Sequence, residues 1–139
     1  MTQRKDTGSS RPLLDKLGVK PGAVVVLLGV RDPDFTGLLS QRTTDVYEKP
    51  MPDTDLIFLA ASTQDGLSNL RELRRHLKDD GAIWVVRPKG VPGGLAEPGI
   101  IEAALASGLV DNKVVSFSPT HSALRLVIPL TQRGVARTP

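Results

Sequence analysis

Residues 55–89 read DLIFLAASTQDGLSNLRELRRHLKDDGAIWVVRPK, and this stretch decides the fold. It contains two unbroken apolar runs, Leu56 to Ala60 and Ala82 to Val86. Runs of this length are typical of strands that are covered on both faces. Because a helical pattern separates the two runs, the stretch predicts one right-handed βαβ unit in a mostly parallel sheet.

The helical pattern between these strands has a spacing of three and four residues, which gives a helix one apolar face. Its apolar positions are Leu67, Leu70, Leu73 and Leu77. Ser62 or Thr63 could cap the start of this helix. Asp79-Asp80-Gly81 would end it before the second strand.

Length and composition predict one folded domain. The chain has 139 residues with 40% hydrophobic side chains and no cysteine, so disulfide and thiolate chemistry are excluded. Its first residues are polar, and its apolar runs are much shorter than the roughly 20 residues that cross a bilayer. We therefore expect a soluble, cytoplasmic protein without a secretory signal. We expect a disordered arm over residues 1–11, a domain over 12–130 and a flexible tail over 131–139.

The net basic charge comes from the two tails. Of 18 Lys and Arg and 15 Asp and Glu, five basic residues and one acidic residue lie outside residues 12–130, which leaves 13 basic and 14 acidic residues in the domain. Aromatic residues make up only 4% of the chain. A nearly neutral domain with few stacking side chains argues against binding to nucleic acid.

The segments before residue 55 predict a short helix and two strands. A helix within Pro12 to Gly18 is followed by a turn that has Pro21 and Gly22 in the order of a type II turn. Ala23 to Val30 is the most β-branched run and the predicted central strand. Asp32 or Asp34 could cap a helix after it, and Thr44 to Glu48 predict a short second strand.

After residue 89, the sequence predicts a Pro/Gly loop, a helix and a hairpin. The helix opens with Glu97-Pro98 and closes at Gly108. Asn112 to Ser118 and Ala123 to Leu130 then predict two antiparallel strands joined by a short turn.

Ligands of open α/β sheets bind beyond the carboxyl ends of the strands. Here these ends are Gly29 to Asp32, Ala61 to Thr63 and Arg87 to Lys89. Arg31, Arg87 and Lys89 would form a cationic mouth suited to a phosphate or carboxylate. The alternative is that they are solvated loop residues, paired with Asp32 or Asp34.

The remaining polar candidates favour structural roles. His76 lies on the charged side of the predicted helix, and His121 lies in the predicted hairpin turn without an identifiable nucleophile or orienting carboxylate. Trp84 is predicted to lie in the core. No histidines or carboxylates stand at metal-ligand spacing, so we predict no metal site.

The second half of the chain resembles the class I S-adenosylmethionine-dependent methyltransferases. Their LKxxG motif corresponds to Leu77-Lys78-Asp79-Asp80-Gly81, and their aGl motif corresponds to Ser107-Gly108-Leu109. Residues 12–130 also resemble a bacterial family, domain of unknown function 3052, through Leu13 to Gly22 and Arg87-Pro88-Lys89. These resemblances imply a truncated, three-layer Rossmann-like α/β fold, and the second family implies no particular reaction.

The methyltransferase resemblance breaks at the turn after the first strand. The fold needs two or three glycines there, so that the backbone can approach the cofactor. Gly29 matches the first glycine, but Arg31 and Pro33 replace the later ones. An acid at the end of the second strand, Asp45 or Glu48, would hold the ribose. The few residues between that strand and residue 55 leave no room for a third strand, so the sheet should be truncated on that side.

Three functions remain open. The first is a non-catalytic module that binds a small anionic molecule, a nucleotide or a protein partner. The second is a minimal methyltransferase that uses S-adenosylmethionine through Gly29, Asp45 or Glu48, and Ser62. The third is a structural homodimer formed through the hairpin edge. The candidate residues of the ligand cleft are Gly29, Arg31, Asp32, Asp45, Ser62, Arg87 and Lys89.

Overall fold

The computed structural model describes residues 12–133, which form one six-stranded sheet with helices on both faces. The strands are β1 (Val25–Leu28), β2 (Val46–Tyr47), β3 (Thr54–Ala60), β4 (Leu77–Pro88), β5 (Val110–Ser116) and β6 (His121–Val127). The α-helices are α1 (Leu13–Leu17), α2 (Pro33–Ser40), α3 (Leu70–Arg74) and α4 (Glu97–Ala106). Short 3-10 turns cover Gln64–Leu67 and Leu130–Gln132. The predicted arm over residues 1–11 and the end of the predicted tail lie outside the described residues.

The sheet has the strand order β2-β1-β3-β4-β6-β5. Strands β1 to β4 pair in parallel, whereas β6 pairs antiparallel with both β4 and β5. The prediction of a mixed α/β sheet with a closing antiparallel hairpin is therefore confirmed. β2 is an edge strand in the described part of the chain, which agrees with the predicted truncation on that side.

Two apolar layers cover the sheet because successive strand residues point to opposite faces. On one face, Phe58 and Trp84 pack with Phe35 of α2 and Leu17 of α1. On the other face, Ile57, Ile83 and Val85 pack with residues of α3 and α4. Phe35 makes ring contacts with Phe58 and Phe117 at centroid distances of 5.0 and 4.7 Å. Trp84 is fully buried, as predicted.

The predicted single helix between β3 and β4 is wrong. The segment divides into the 3-10 turn at Gln64–Leu67 and the five-residue α3, and β4 already begins at Leu77. Leu77 pairs with Thr54 and Ala82 pairs with Leu56, so the residues between Leu77 and Ala82 bulge out of the ladder. Lys78 and Asp80 are exposed on this bulge. Thr63 precedes the 3-10 turn without a side-chain capping bond.

Other local predictions hold. The amide of Ala23 donates to the oxygen of Lys20 at 3.0 Å and Gly22 has φ +77°, as in a type II turn. Gly18 ends α1 in the left-handed region at φ +78°. None of the helices in residues 12–133 is long and apolar enough to span a membrane.

Candidate functional site

A cavity of about 290 Å³ lies at the carboxyl ends of the parallel strands. Its floor comes from Ala60 at the end of β3 and Val86 near the end of β4. One wall is the β1–α2 connection, from Gly29 to Pro33. The opposite wall is the hairpin between β5 and β6, with Phe117, Thr120 and His121. The topology therefore brings two distant segments of the chain together at one crevice.

The β1–α2 connection is built as a helix start. Gly29 has φ +80°, a conformation that side-chain-bearing residues rarely adopt, so glycine is needed there. The Oδ1 atom of Asp32 accepts hydrogen bonds from the amides of Asp34 at 3.0 Å and Phe35 at 3.1 Å. Of the two predicted caps, Asp32 is thus the one that forms. Pro33 follows as the first residue of α2, where its missing amide hydrogen costs nothing.

Arg31 is the cation of this cavity. Its side chain is exposed and lines the cavity wall. It forms no ion pair with any residue between 12 and 133. A guanidinium in this setting can bind a carboxylate or phosphate through two parallel hydrogen bonds.

The hairpin turn contributes hydroxyl groups and an imidazole. The Nδ1 atom of His121 lies 2.8 Å from Oγ1 of Thr120, and that hydroxyl lies 3.2 Å from Oγ of Ser118. The Ser118 hydroxyl also accepts hydrogen bonds from the amides of Thr120 and His121. These contacts fix the turn and leave the half-buried His121 at the cavity wall.

Arg87 and Lys89 do not join Arg31 in a cationic mouth, so that part of the prediction is wrong. Because strand residues alternate, Val86 faces the cavity and Arg87 faces the opposite side of the sheet. There Arg87 lies 3.7 Å from a carboxylate oxygen of Glu97 and donates to the oxygen of Leu95 at 3.3 Å. The Nζ atom of Lys89 donates to Oγ of Ser116 at 2.8 Å.

Asp45 and Ser62 also lie away from the cavity. Asp45 precedes β2, and its main-chain oxygen accepts a hydrogen bond from the amide of Val25 at the beginning of β1. It therefore lies on the amino side of the strands, and Glu48 is the acid that follows β2. Ser62 follows β3 as predicted, but it is not one of the cavity residues, and its main-chain oxygen accepts from the amide of Leu95.

Phe117 and Thr120 line the cavity although neither is predicted to do so, and His121 lines it in addition to forming the predicted turn. The signal was available in the predicted topology. A strand that runs antiparallel to β4 must begin where β4 ends, and Pro88 does pair with His121. The hairpin turn is thereby placed at the carboxyl edge of the sheet.

Within residues 12–133, no group of three or more His, Asp or Glu side chains could hold a metal ion. The cavity is lined by the guanidinium of Arg31, the imidazole of His121, the hydroxyl of Thr120 and apolar surface, and the carboxylate of Asp32 there already accepts two main-chain amides. This set of groups suits an anion with a small apolar or aromatic body.

Several of the solved structures with a similar architecture are methyltransferases. A SAM dependent methyltransferase from Aquifex aeolicus superposes with a TM-score of 0.66 and 18% identity, covering 84% of this chain and 88% of that one. A candidate type 11 methyltransferase from Sulfolobus solfataricus gives a TM-score of 0.64 at 20% identity, with 86% and 91% covered. A candidate methyltransferase of Haloferax volcanii, solved in complex with the methyltransferase activator Trm112, gives 0.63 at 13% identity, with 84% and 87% covered. At these identities the similarity concerns the fold.

Relatives by sequence come from mycobacteria. Uncharacterized proteins of Mycobacterium bovis and of Mycobacterium tuberculosis are 35% identical over 98 residues, which is 70% of this chain and 58% of theirs. The match thus spans less than two thirds of the length of these relatives. Residues 14–130 match the family described as protein of unknown function (DUF3052), which confirms the resemblance noted in the sequence. The chain is therefore a member of the DUF3052 family, with a methyltransferase-like α/β fold.

Proposed function

We propose that this domain is a non-catalytic binding module that holds a small anionic molecule, such as a nucleotide, in the carboxyl-end cavity. The observation that carries the proposal is the β1–α2 connection. Asp32 and Pro33 occupy the start of α2, where a glycine-rich loop would present free backbone amides to a cofactor. Arg31 beside them offers a positive charge to the cavity instead.

The size of the cavity supports a small ligand. Its volume of about 290 Å³ is at the lower end of the range for small-molecule pockets. Phe117, Ala60 and Val86 supply an apolar surface for the body of the ligand, and Arg31 and His121 lie at the rim for its polar group. A phosphate or carboxylate on a compact ring matches this distribution.

The test is thermal melting of the full chain with millimolar nucleotides, dinucleotides, S-adenosylmethionine and S-adenosylhomocysteine. A ligand at about 100 times its dissociation constant adds roughly 2.7 kcal/mol to the free energy of unfolding, which shifts the melting temperature by several degrees. We expect such a shift with an anionic ligand and its loss in Arg31→Gln. Arg75→Gln is the matched control, because Arg75 is exposed at the C-terminal end of α3 and, among residues 12–133, forms an ion pair only with Glu72, at 3.5 Å. Equal shifts in wild type and Arg31→Gln would contradict the proposal.

A minimal S-adenosylmethionine-dependent methyltransferase is the alternative. It is favoured by the strand order and by the similarity to the Aquifex aeolicus enzyme over 88% of that chain. Glu48, directly after β2, would then hold the ribose. A melting shift with S-adenosylmethionine and S-adenosylhomocysteine alone, reduced in Glu48→Gln, would favour this alternative over the binding module.

A protein partner or a second copy of the chain is the remaining possibility. β5 is an edge strand, and Val114 on it is 49% exposed. The same edge carries exposed Asp111 and Lys113 and an irregular register between them, which are features that discourage strand addition. Sedimentation of the purified chain would distinguish the two: a dimer that Val114→Lys dissociates would support the homodimer.

A further inference from the structure

A second cavity, of about 430 Å³, lies at the amino ends of the parallel strands. It is located beneath the turn from Lys20 to Ala23, where β3 and β4 begin. Asp55, Lys78 and Arg125 supply charged groups to it. Because parallel strands run away from this edge, the cavity is separate from the one that contains Arg31.

Two of its charged residues, Asp55 and Lys78, form an ion pair with each other. The Oδ1 atom of Asp55 lies 3.1 Å from Nζ of Lys78, and Oδ2 accepts a hydrogen bond from the amide of Val24 at 2.8 Å. The hydrogen bond to Asp55 and the negative charge of that carboxylate raise the pKa of Lys78. This pair therefore holds the turn region against β3 and leaves little charge for a ligand.

Arg125 is different, because its guanidinium has no acceptor. The residue is partly buried in β6, and within residues 12–133 its side chain makes no hydrogen bond and no ion pair. Its guanidinium carries five donors, and as a residue that lines the cavity Arg125 can offer them to a ligand there.

The neighbours of Arg125 increase the positive charge. On the adjacent strand its paired residue is Lys113, whose Nζ donates to the oxygen of Lys16 at the end of α1. Like charges on directly opposite strand residues are destabilising. Burial lowers the pKa of Arg125, and the positive charge of Arg133 lowers it further. Lys20 is a further basic residue that lines the cavity.

We propose that the cavity beneath the Lys20–Ala23 turn is an anion-binding site, in which Arg125 and Lys20 hold a single phosphate or carboxylate group of a small molecule. The planar guanidinium matches both oxyanions, and the cavity volume lies within the range of small-molecule sites. The exposed carboxylate of Asp80 at the rim disfavours a polyanion, which limits the ligand to one anionic group. An anion would also relieve the repulsion between Arg125 and Arg133.

The test is NMR titration of the ¹⁵N-labelled full chain with inorganic phosphate and, separately, with acetate at constant ionic strength. The arginine Nε–Hε signal of Arg125, assigned from its loss in Arg125→Gln, should shift and saturate with at least one anion. The anion that saturates the shift of this signal at the lower concentration is the one that the site prefers, either phosphate or carboxylate. Arg125→Gln should weaken that anion's binding by about ten-fold or more, because a charged hydrogen-bonding group is removed.

Two further variants, Lys20→Gln and Arg31→Gln, test the site without changing Arg125. If Arg125→Gln does not fold, Lys20→Gln changes only an exposed side chain and should weaken binding by about two- to five-fold. Arg31→Gln should leave the affinity unchanged, because Arg31 lines the other cavity. The absence of a saturable shift at Arg125 with both anions would overturn the proposal. So would binding that Arg31→Gln removes and Lys20→Gln leaves unchanged, a result that would instead support the carboxyl-end cavity.

Discussion

The indole Nε1 of Trp84 donates a hydrogen bond of 3.0 Å to the main-chain oxygen of Leu17. Trp84 lies in the middle of β4, and Leu17 is the last residue of α1, so the bond connects the N-terminal helix to the centre of the sheet. Both residues are fully buried. Buried main-chain oxygens near a helix end need such a partner, because the helix itself does not supply one.

We expect Trp84→Phe to destabilise the domain by about 2–4 kcal/mol, from the lost buried hydrogen bond and the cavity that remains. Since Trp84 is the single tryptophan, urea unfolding should be followed by circular dichroism rather than fluorescence. Ile83→Val serves as the control, because it removes one methylene from the neighbouring buried position at a cost of about 0.5–1.5 kcal/mol. Equal losses in the two variants would show that the bond to Leu17 contributes nothing.

Asp32→Ala should reduce the free energy of unfolding by about 1 kcal/mol, because two amides at the start of α2 lose their acceptor. Asp32→Asn keeps an oxygen at the same place and should lose much less. Asp34 lies in the first turn of α2, and its side chain accepts no capping bond from any residue between 12 and 133, so Asp34→Ala is the matched control in the urea titration. An equal loss in Asp32→Ala and Asp34→Ala would exclude the cap as the cause.

Gly81 and Gly37 should respond to alanine in opposite directions. A Cβ at Gly81 would lie 2.9 Å from the oxygen of Asp55 and 3.0 Å from that of Thr54, both rigid strand atoms. We expect Gly81→Ala to cost about 1–3 kcal/mol, as overpacking does. A Cβ at Gly37 meets nothing within 4 Å, and the site is helical, so Gly37→Ala should stabilise the domain by about 0.5–1 kcal/mol. Chemical denaturation of both variants checks the signs, and a stabilised Gly81→Ala would refute the packing described for β3 and β4.

Lys78 should make stability depend on alkaline pH. Its pKa is raised above the ordinary value of about 10.5, first by the hydrogen bond to Asp55 and then by that residue's charge. A raised lysine pKa contributes stability that is complete below the unfolded pKa and is lost as pH rises through the folded one. As the pH rises above about 10.5, the wild type should therefore lose more stability than Lys78→Gln.

Lys49→Gln is the control for this comparison, because Lys49 is exposed and has no ion pair in the described part of the chain. Urea midpoints of the three proteins across this pH range are the measurement. Parallel pH profiles for wild type and Lys78→Gln would contradict a role for the pair with Asp55.

The strands of the βαβ unit could be predicted because their apolar runs have a single physical solution. Leu56 to Ala60 and Ala82 to Val86 pair with each other in register, in the centre of the sheet. Capping by Asp32 was also predictable, because an aspartate before Pro33 has a specific local chemistry. In each case the information is local to a few residues.

The helix between these strands could not be bounded in the same way. Leu67, Leu70, Leu73 and Leu77 are all buried against the same layer, as the periodicity requires. Yet Leu77 reaches that layer from a strand, and the bulge that carries Lys78 and Asp80 depends on pairing with Thr54. Pairing with a distant residue leaves no trace in the spacing of the leucines.

The residues of the carboxyl-end cavity could likewise be predicted only in part. Gly29, Arg31 and Asp32 were predicted from one segment, and the structure places all three at the crevice. Arg87 was predicted there because it lies at the carboxyl end of β4, but the side-chain alternation of β4 places it beside Glu97 on the other face. The sequence position of Arg87 correctly predicted that it lies at the carboxyl ends of the strands. Which face of the sheet its side chain occupies depends on the alternation of side chains along β4.

The truncated side of the sheet, at β2, should open locally more often than the centre of the sheet. β2 is held to β1 by two residue pairs, Val25 with Val46 and Val26 with Tyr47, whereas β4 is bonded along most of its length on both sides. Amide hydrogens at β2 should therefore exchange with solvent through small local openings, and those in the centre of β4 only through global unfolding. Among the strands of residues 12–133, the flank beside Glu48 should thus open most readily.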